Sequence, residues 1–106
     1  MFLILWEFEV KPGEESAFEK VYGPEGQWVQ LFRGDSHYRE TKLLKDSLRS
    51  RIYFTLDFWE SENDFNSFKQ INQEAYAKLD KATENLTIRE RNLGCFLQHG
   101  PGPISS

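Results

Sequence analysis

A chain of 106 residues is the length of one domain, and a content of 39% hydrophobic and 15% aromatic residues predicts a single aromatic-rich core. The net charge is −4 and the basic residues are scattered along the chain, so we expect no nucleic-acid partner. The only cysteine, Cys95, excludes an intramolecular disulfide and favours a reducing, cytoplasmic location, and no run of 18 apolar residues predicts a membrane-spanning helix.

The first half of the chain predicts a strand followed by a helix in two pieces. Residues 2–10 alternate between two faces, as a strand does, and the segment "KPGEES" then supplies turn residues and acidic residues suited to a first helical turn. The helix is expected to run to Tyr22. "GPEG" interrupts it, Pro24 is placed to open a second short helix, and Gly34 is placed to end that helix.

A β-hairpin is predicted next, with strands at 37–45 and 51–59. Ser61 then has the character of a helix N-cap, and apolar residues recur every three or four positions after it, which predicts one helix of five or six turns. A last strand is expected at 86–97. Residues 98–106 form a predicted C-terminal tail, so the predicted domain covers residues 1–97.

The predicted order of elements is β, α, β, β, α, β, which is the α+β arrangement of a ferredoxin-like domain. A four-stranded antiparallel sheet would carry its helices on one face only. The strand at 51–59 is nevertheless apolar or aromatic on both faces, and the first strand has Leu3 and Leu5 opposite its main apolar set. We therefore expect a homodimer in which two sheets pack face to face, burying roughly 2,000 Å² or more.

The strand segment "FTLDFW" raises a question, because it carries one carboxylate, Asp57, inside an apolar run. An unpaired buried charge costs several kcal/mol or shifts its pKa. One interpretation makes Asp57 a general base or a substrate anchor. The more frequent alternative is a structural ion pair with an arginine of a neighbouring strand, and Arg39, Arg89 and Arg91 are the candidates.

Two segments, "EFEVKPGEESAFEKVYGPEGQW" and "YFTLDFWESENDFNSF", together with the order of elements, resemble the antibiotic-biosynthesis-monooxygenase-like proteins, a superfamily of dimeric α+β barrels. The likeness covers residues 1 to about 97. The superfamily includes cofactor-independent monooxygenases acting on phenols, heme-degrading enzymes and isomerases, so the resemblance indicates the fold more specifically than the activity.

The resemblance implies a pocket between the sheet and the helices of each subunit, for a small aromatic phenol or quinol, without a metal or other cofactor. It implies that Trp59 lines the pocket. Strand alternation then puts Asp57 on the same face, and Arg89 or Arg39 would stabilise a substrate anion while Asp57 or His37 moves a proton. The predicted substrate-binding residues are Trp59, Thr55, Tyr53, Trp6, Phe8, Trp28, Phe32 and Phe65.

Three positions depart from the patterns of active relatives. The monooxygenases carry an asparagine on the strand before the tryptophan, and this chain has Thr55 there, which offers no amide N–H. The heme-degrading branch has an asparagine where this chain has Trp6 and a histidine where it has Lys69. A non-enzymatic small-molecule-binding or dimeric interaction module is therefore the alternative function.

The two histidines and the cysteine have structural interpretations that need no function. His37 suits an exposed turn better than a pocket. Cys95 is expected to be a buried small hydrophobe. His37 and His99 are far apart in the sequence, and we expect no metal site.

Overall fold

The fold is a four-stranded antiparallel sheet in the order β2-β3-β1-β4, with helices packed on one face, in a computed structural model that describes residues 1–100. The predicted α+β class and ferredoxin-like arrangement are confirmed. The strands are β1 (Phe2–Val10), β2 (Tyr38–Lys45), β3 (Ile52–Trp59) and β4 (Thr87–Leu97). Residues 101–106 of the predicted tail lie outside the described residues.

The register of β1 and β3 decides which side chains face the helices. Thr55 lies opposite Trp6, and Asp57 lies opposite Ile4. Residues directly opposite each other in an antiparallel pair project from the same face. The alternation predicted for β3 therefore carries through to the sheet, and Asp57 and Thr55 point toward the helices rather than toward the open face.

The helices are α1 (Glu15–Tyr22), α2 (Gln27–Phe32), α3 (Glu62–Ile71) and α4 (Gln73–Thr83), followed by one 3₁₀ turn at Glu84–Leu86. α2 begins after Gly26 rather than at Pro24. At Gly26 the chain passes so close to the end of α1 that a Cβ atom would lie 2.1 Å from the Val21 carbonyl oxygen. Only glycine fits this approach between the two helices.

The prediction of one continuous helix after Ser61 is wrong at Asn72. The backbone of Asn72 has φ −105° and ψ 27°, which departs from helical values. Its side-chain amide donates to the Phe68 carbonyl at 3.0 Å, and its backbone N–H donates to the same oxygen at 2.9 Å. Asparagine competes with helical hydrogen bonding in this way, and α4 therefore starts as a separate helix.

The core between the sheet and the helices is built largely from aromatic rings. Trp59 is fully buried, and its ring centroid lies 5.0 Å from Phe68 and 5.6 Å from Phe32. Phe18 stacks on Tyr22 at 4.4 Å and contacts Tyr53 at 4.9 Å. These contacts fix α1, α2 and α3 over β1 and β3, and so they set the shape of the space left between them.

The opposite face of the sheet has no helix over it among residues 1–100. Leu3, Ile52 and Phe58 are nevertheless buried within one chain, while Leu44 and Phe96 are 46% and 48% exposed. At the other end of this face Glu7 pairs with Arg91 and Glu9 pairs with Arg89, each at 3.2 Å. The open face is thus apolar at one end and charged at the other.

The burial of Cys95 and the length of the helices were also predicted from the sequence. Cys95 is exposed, not buried, because it lies on the edge strand β4. Among the described helices, none is long and apolar enough to cross a membrane.

The N-terminus of α3 depends on Ser61, whose hydroxyl accepts the Asp64 backbone N–H at 3.1 Å. We expect Ser61→Ala to lower the free energy of unfolding by about 1 kcal/mol, because the cap is lost. Urea denaturation measures the change. Ser67→Ala, an exposed position inside the same helix, is the control and should change stability by less than about 0.5 kcal/mol. Equal effects of the two substitutions would contradict the capping role.

Candidate functional site

A cavity of about 230 Å³ lies between the helix-facing side of the sheet and the helices. Strands β1, β2, β3 and β4 and helices α2, α3 and α4 contribute side chains to it, together with Tyr22 at the end of α1. Its wall consists of Trp6, Phe8, Tyr22, Trp28, Phe32, Thr41, Thr55, Asp57, Lys69, Tyr76, Asp80 and Glu90.

Most of the wall is aromatic. Trp28 and Tyr76 meet edge to face with ring centroids 5.1 Å apart, and Trp6 stacks on Phe8 at 6.2 Å. The Trp28 indole N–H is buried and forms no hydrogen bond within residues 1–100, although it lies close enough to the Tyr22 hydroxyl to lower the pKa of that group. The space is therefore suited to a flat, largely apolar molecule.

Asp57 brings a carboxylate into this aromatic wall. The Thr41 hydroxyl donates to Asp57 Oδ1 at 2.6 Å, and the Tyr38 hydroxyl donates in turn to Thr41 Oγ1 at 2.8 Å. Removal of the carboxylate from water raises its pKa from 3.8 to about 6, and the hydrogen bond from Thr41 offsets part of that shift. Part of Asp57 stays accessible, in the wall of the cavity. It is a carboxylate that can exchange a proton near neutral pH.

The expectation of a structural ion pair at Asp57 is wrong. Arg39 pairs with Glu60, and Arg89 pairs with Glu9 on the open face of the sheet. Arg91 likewise pairs with Glu7. Strand alternation explains this outcome, because Arg89 and Arg91 project from the face opposite to the cavity. The charge of Asp57 in this apolar strand is therefore compensated by a hydrogen bond from a hydroxyl group and by a raised pKa, and not by an ion pair.

Six of the candidate residues lie in the cavity wall, and their roles in binding or catalysis stay predictions: Trp6, Phe8, Trp28, Phe32, Thr55 and Asp57. Thr55 is only 4% exposed, and within the described residues its hydroxyl forms no hydrogen bond. It is therefore available to a ligand that fills the cavity.

Three other candidates lie in the core rather than in the cavity wall. Trp59 is fully enclosed by Phe32, Tyr38, Phe65 and Phe68, which corrects the expectation that it lines the pocket. Tyr53 packs on Phe18, and its hydroxyl donates to Glu19 at the protein surface. Phe65 packs against Phe2 and Trp59. The depth to which a strand residue is covered depends on the helices, which alternation does not predict.

His37 and Arg89 both lie outside the cavity. The His37 ring is exposed, with Nδ1 2.9 Å from Asp35 Oδ1 and Nε2 3.7 Å from Asp64 Oδ1. His37, Glu60 and Asp64 also bring three possible metal-ligand atoms within 4.8 Å of one another. This group was not predicted from the sequence, because the expectation of no metal site rested only on the separation of the two histidines. The Glu60 carboxylate is already paired with Arg39 and the His37 ring with Asp35.

Six residues of the cavity wall were not predicted from the sequence: Tyr22, Thr41, Lys69, Tyr76, Asp80 and Glu90. Most of them are polar residues on helices or on the edge strands, where a surface position is the ordinary expectation. One signal was available for Glu90. In the alternation of β4 it takes the face opposite to Arg89 and Arg91, and the structure pairs it with Phe8.

The polar groups at the Glu90 end influence one another. Burial, together with the charges of Asp57, Asp80 and Glu90, raises the pKa of Tyr76 to about 12. Burial also raises the pKa of Tyr22 to about 12, against the lowering effect of its hydrogen bond to Thr83. The pKa of Glu90 is raised by burial, and the Thr87 hydroxyl donates to it at 3.2 Å. Both tyrosines are therefore hydrogen-bonding groups and not proton acceptors at neutral pH.

Comparison with solved structures defines the fold further. An asparagine-to-alanine variant of SnoaB, a cofactor-independent oxygenase from Streptomyces nogalater, superposes with a TM-score of 0.77 at 17% identity, over 96% of each chain. A candidate antibiotic biosynthesis monooxygenase from Bordetella bronchiseptica gives 0.75 at 16% identity, over 92% of this chain and 96% of its own. Another from Deinococcus radiodurans gives 0.75 at 8% identity, over 98% of each chain.

The chain has the antibiotic biosynthesis monooxygenase fold. No protein-family model matches its sequence, and no curated protein does. At these identities the likeness to the monooxygenase structures is a likeness of fold. What the cavity does depends on its own residues.

The raised pKa of Asp57 makes a prediction about stability. A carboxyl group whose pKa is higher in the folded protein stabilises it below pH 3.8, and this contribution is lost as the pH rises through about 6. Asp57→Asn removes the charge, so we expect it to raise the free energy of unfolding at pH 7.5 by about 1–3 kcal/mol. The gain should vanish below about pH 4, which urea denaturation at several pH values measures. A variant less stable than wild type at pH 7.5 would contradict the unpaired carboxylate.

Proposed function

We propose that the protein binds a small phenol or quinol in the cavity and oxidises it with O₂ without a bound cofactor. The observation that supports this most directly is Asp57, a carboxylate with a pKa of about 6 inside an aromatic wall. A general base works best when its pKa lies near the working pH. The fold shared with SnoaB, a cofactor-independent oxygenase, agrees with this chemistry.

The size of the cavity limits the substrate. An apolar cavity of about 150 Å³ in a protein interior takes up benzene. The volume of about 230 Å³ found here therefore corresponds to one substituted ring or two fused rings. A ligand of three or four fused rings would need the helices to move apart.

The proposed reaction starts with transfer of the ring hydroxyl proton to Asp57. The resulting phenolate gives one electron to O₂, and the superoxide and the ring radical combine at a ring carbon to form a peroxide anion, which takes the proton back from Asp57. Loss of water from that carbon leaves a quinone, so one phenol and one O₂ give one quinone and one water. The aromatic wall orients the ring and excludes bulk water.

A chain of hydroxyls behind Asp57 connects the carboxyl group to the protein surface. Thr41 borders the cavity on one side and a second groove on the other, and Tyr38 borders only that groove. The hydrogen bonds from Tyr38 to Thr41 and from Thr41 to Asp57 thus join the carboxylate to the groove. The reaction releases no net proton, so Asp57 is reset when it protonates the peroxide, and the hydroxyl chain lets the carboxyl group equilibrate with solvent between turnovers without opening the aromatic wall.

A non-enzymatic binding module is the second candidate. Thr55 favours it, because a hydroxyl binds a ligand oxygen but offers no amide N–H to a developing anion. Binding of phenols without any oxygen uptake would support this second function over the first.

Oxygen-electrode assays with simple phenols test the proposed reaction. We expect kcat/KM to rise about tenfold per pH unit below pH 6 and to level off above it, as Asp57 loses its proton. Asp57→Asn should lower kcat by a factor of about 10² or more. Glu74→Gln, an exposed change on α4 outside the cavity, is the control and should keep the wild-type rate. A pH-independent rate, or full activity of Asp57→Asn, would count against Asp57 as the base.

We also propose that two copies pair through the open face of the sheet. Leu5, Phe54 and Leu56 are only half-buried on this face, and Leu44 and Phe96 beside them are about half exposed. A contiguous apolar face of this kind is typical of a homodimer interface.

Analytical ultracentrifugation tests the dimer. The wild-type protein should sediment at twice 12.5 kDa at micromolar concentration. Leu56→Lys should give a 12.5 kDa particle, because it places a charge beside Lys42 in the proposed interface. Leu48→Lys, in a loop where the side chain is 93% exposed, should remain dimeric. A wild-type monomer would refute the proposed pairing.

A further inference from the structure

The cavity contains more negative charge than positive charge. Among residues 1–100, three carboxylates line it, from Asp57, Asp80 and Glu90, and Lys69 is the one basic side chain in its wall. We propose that the natural ligand is a cation: an aromatic ring that carries a protonated amine in addition to its hydroxyl group. This inference rests on the proposed function. Such a ligand supplies the positive charge that the wall lacks.

None of the three carboxylates is neutralised by the protein. Within residues 1–100 the ion pairs formed by arginine, lysine and histidine all involve other acidic side chains. In the described part of the chain, Asp57 accepts a hydrogen bond only from the Thr41 hydroxyl, and Glu90 accepts one only from the Thr87 hydroxyl. Carboxylates at the wall of a cavity attract a cationic group strongly, and in the part of the wall that the structure describes only Lys69, which forms no ion pair with them, can compete with a ligand cation.

The carboxylates lie at two ends of the cavity. Asp57 is on β3 opposite Ile4, and Glu90 is on β4 opposite Phe8, with β1 between them. Two strand spacings and four residues of β1 separate their backbones by about 10 Å across the sheet and about 13 Å along it. Asp80 acts with Glu90, since both raise the pKa of Tyr22. One ligand can therefore meet Asp57 with one end and the Asp80 and Glu90 pair with the other.

The aromatic wall between these ends also favours an ammonium group. Lys69 already shows the preference, because its Nζ lies 5.3 Å from the centre of the Tyr76 ring and 5.5 Å from that of Phe65. Electron-rich ring faces attract cations in this geometry. The Tyr76 hydroxyl lies within electrostatic reach of all three carboxylates, so a ligand cation beside it would be held by ring and carboxylate together.

The two ends therefore have different roles. At one end Asp57 and the Thr55 hydroxyl meet the ring hydroxyl, where the proposed proton transfer takes place. At the other end Asp80 and Glu90 hold the protonated amine. The positive charge of the amine also offsets part of the charge of the phenolate that forms at Asp57, which an uncharged phenol could not do.

Three phenols that share a para-substituted ring test the charge preference by isothermal titration calorimetry at pH 7.5 and low salt. Tyramine carries a protonated amine, 4-propylphenol has a methyl group in the same place, and 3-(4-hydroxyphenyl)propanoate carries a carboxylate. We expect tyramine to bind at least about tenfold more tightly than 4-propylphenol, and the propanoate to bind most weakly.

Variants identify the groups responsible. Asp80→Asn and Glu90→Gln should each weaken tyramine binding by about five- to tenfold and change 4-propylphenol binding by less than about twofold. Lys69→Gln should have the opposite effect and strengthen tyramine binding by a few-fold. Glu74→Gln lies on α4 outside the cavity and is the matched control, with no change for either ligand. Asp80 is exposed, so its amide variant keeps the fold.

Equal or tighter binding of 4-propylphenol would overturn the inference, as would a failure of all three ligands to bind. Neither result depends on turnover. The proposed oxidation is judged separately, by oxygen uptake with uncharged phenols, so a protein that oxidises phenols without preferring cations would disprove this inference and leave the proposed function in place.

Discussion

The coverage of the sheet by helices on one face only is the constraint from which the other features of the molecule follow. Successive residues of β3 must point alternately to the helices and to the open face. Because Tyr53 and Trp59 anchor the strand in the aromatic core, Asp57 between them has to face the helices as well. A carboxylate is thereby held where water is scarce, and the helices leave a cavity beside it rather than a packed core.

Electrostatic separation of the two faces makes this carboxylate reactive. The arginines that could have paired with Asp57 are on the open face or at the strand ends, where Glu7, Glu9 and Glu60 take them. Within residues 1–100, the cavity carboxylates Asp57, Asp80 and Glu90 form no ion pair. The proposed proton transfer at Asp57 and the proposed attraction of a cation at the Glu90 end both depend on this one distribution of charge.

Much of the fold could be predicted from the sequence, because β1 and β3 alternate with a period of two and pair without a register shift. That period predicts the faces of β1 and β3, and so it brings Trp6, Thr55 and Asp57 together. The period does not predict how deeply a side chain is buried. Trp59 has the same parity as Asp57 but lies under α2 and α3, and only the packing of Phe32 and Phe68 reveals that it is core.

The polar half of the cavity was less predictable. Asp80 lies on a helix whose period marks it as a surface residue. That helix, α4, begins after the break at Asn72, where a side-chain hydrogen bond, rather than a pattern, ends α3. Glu90 lies on an edge strand with a mostly polar sequence. That such a charged residue borders a cavity has no signal in a single sequence beyond the parity of Glu90.

The most direct test of this account is an NMR titration of the Asp57 side-chain carboxyl carbon in the full chain without ligand. An unpaired carboxylate in the cavity wall should titrate with a midpoint at about pH 6. A midpoint at or below 3.8 would mean that Asp57 is solvated or paired with a cation, and the account of the cavity as a site for proton transfer would be contradicted.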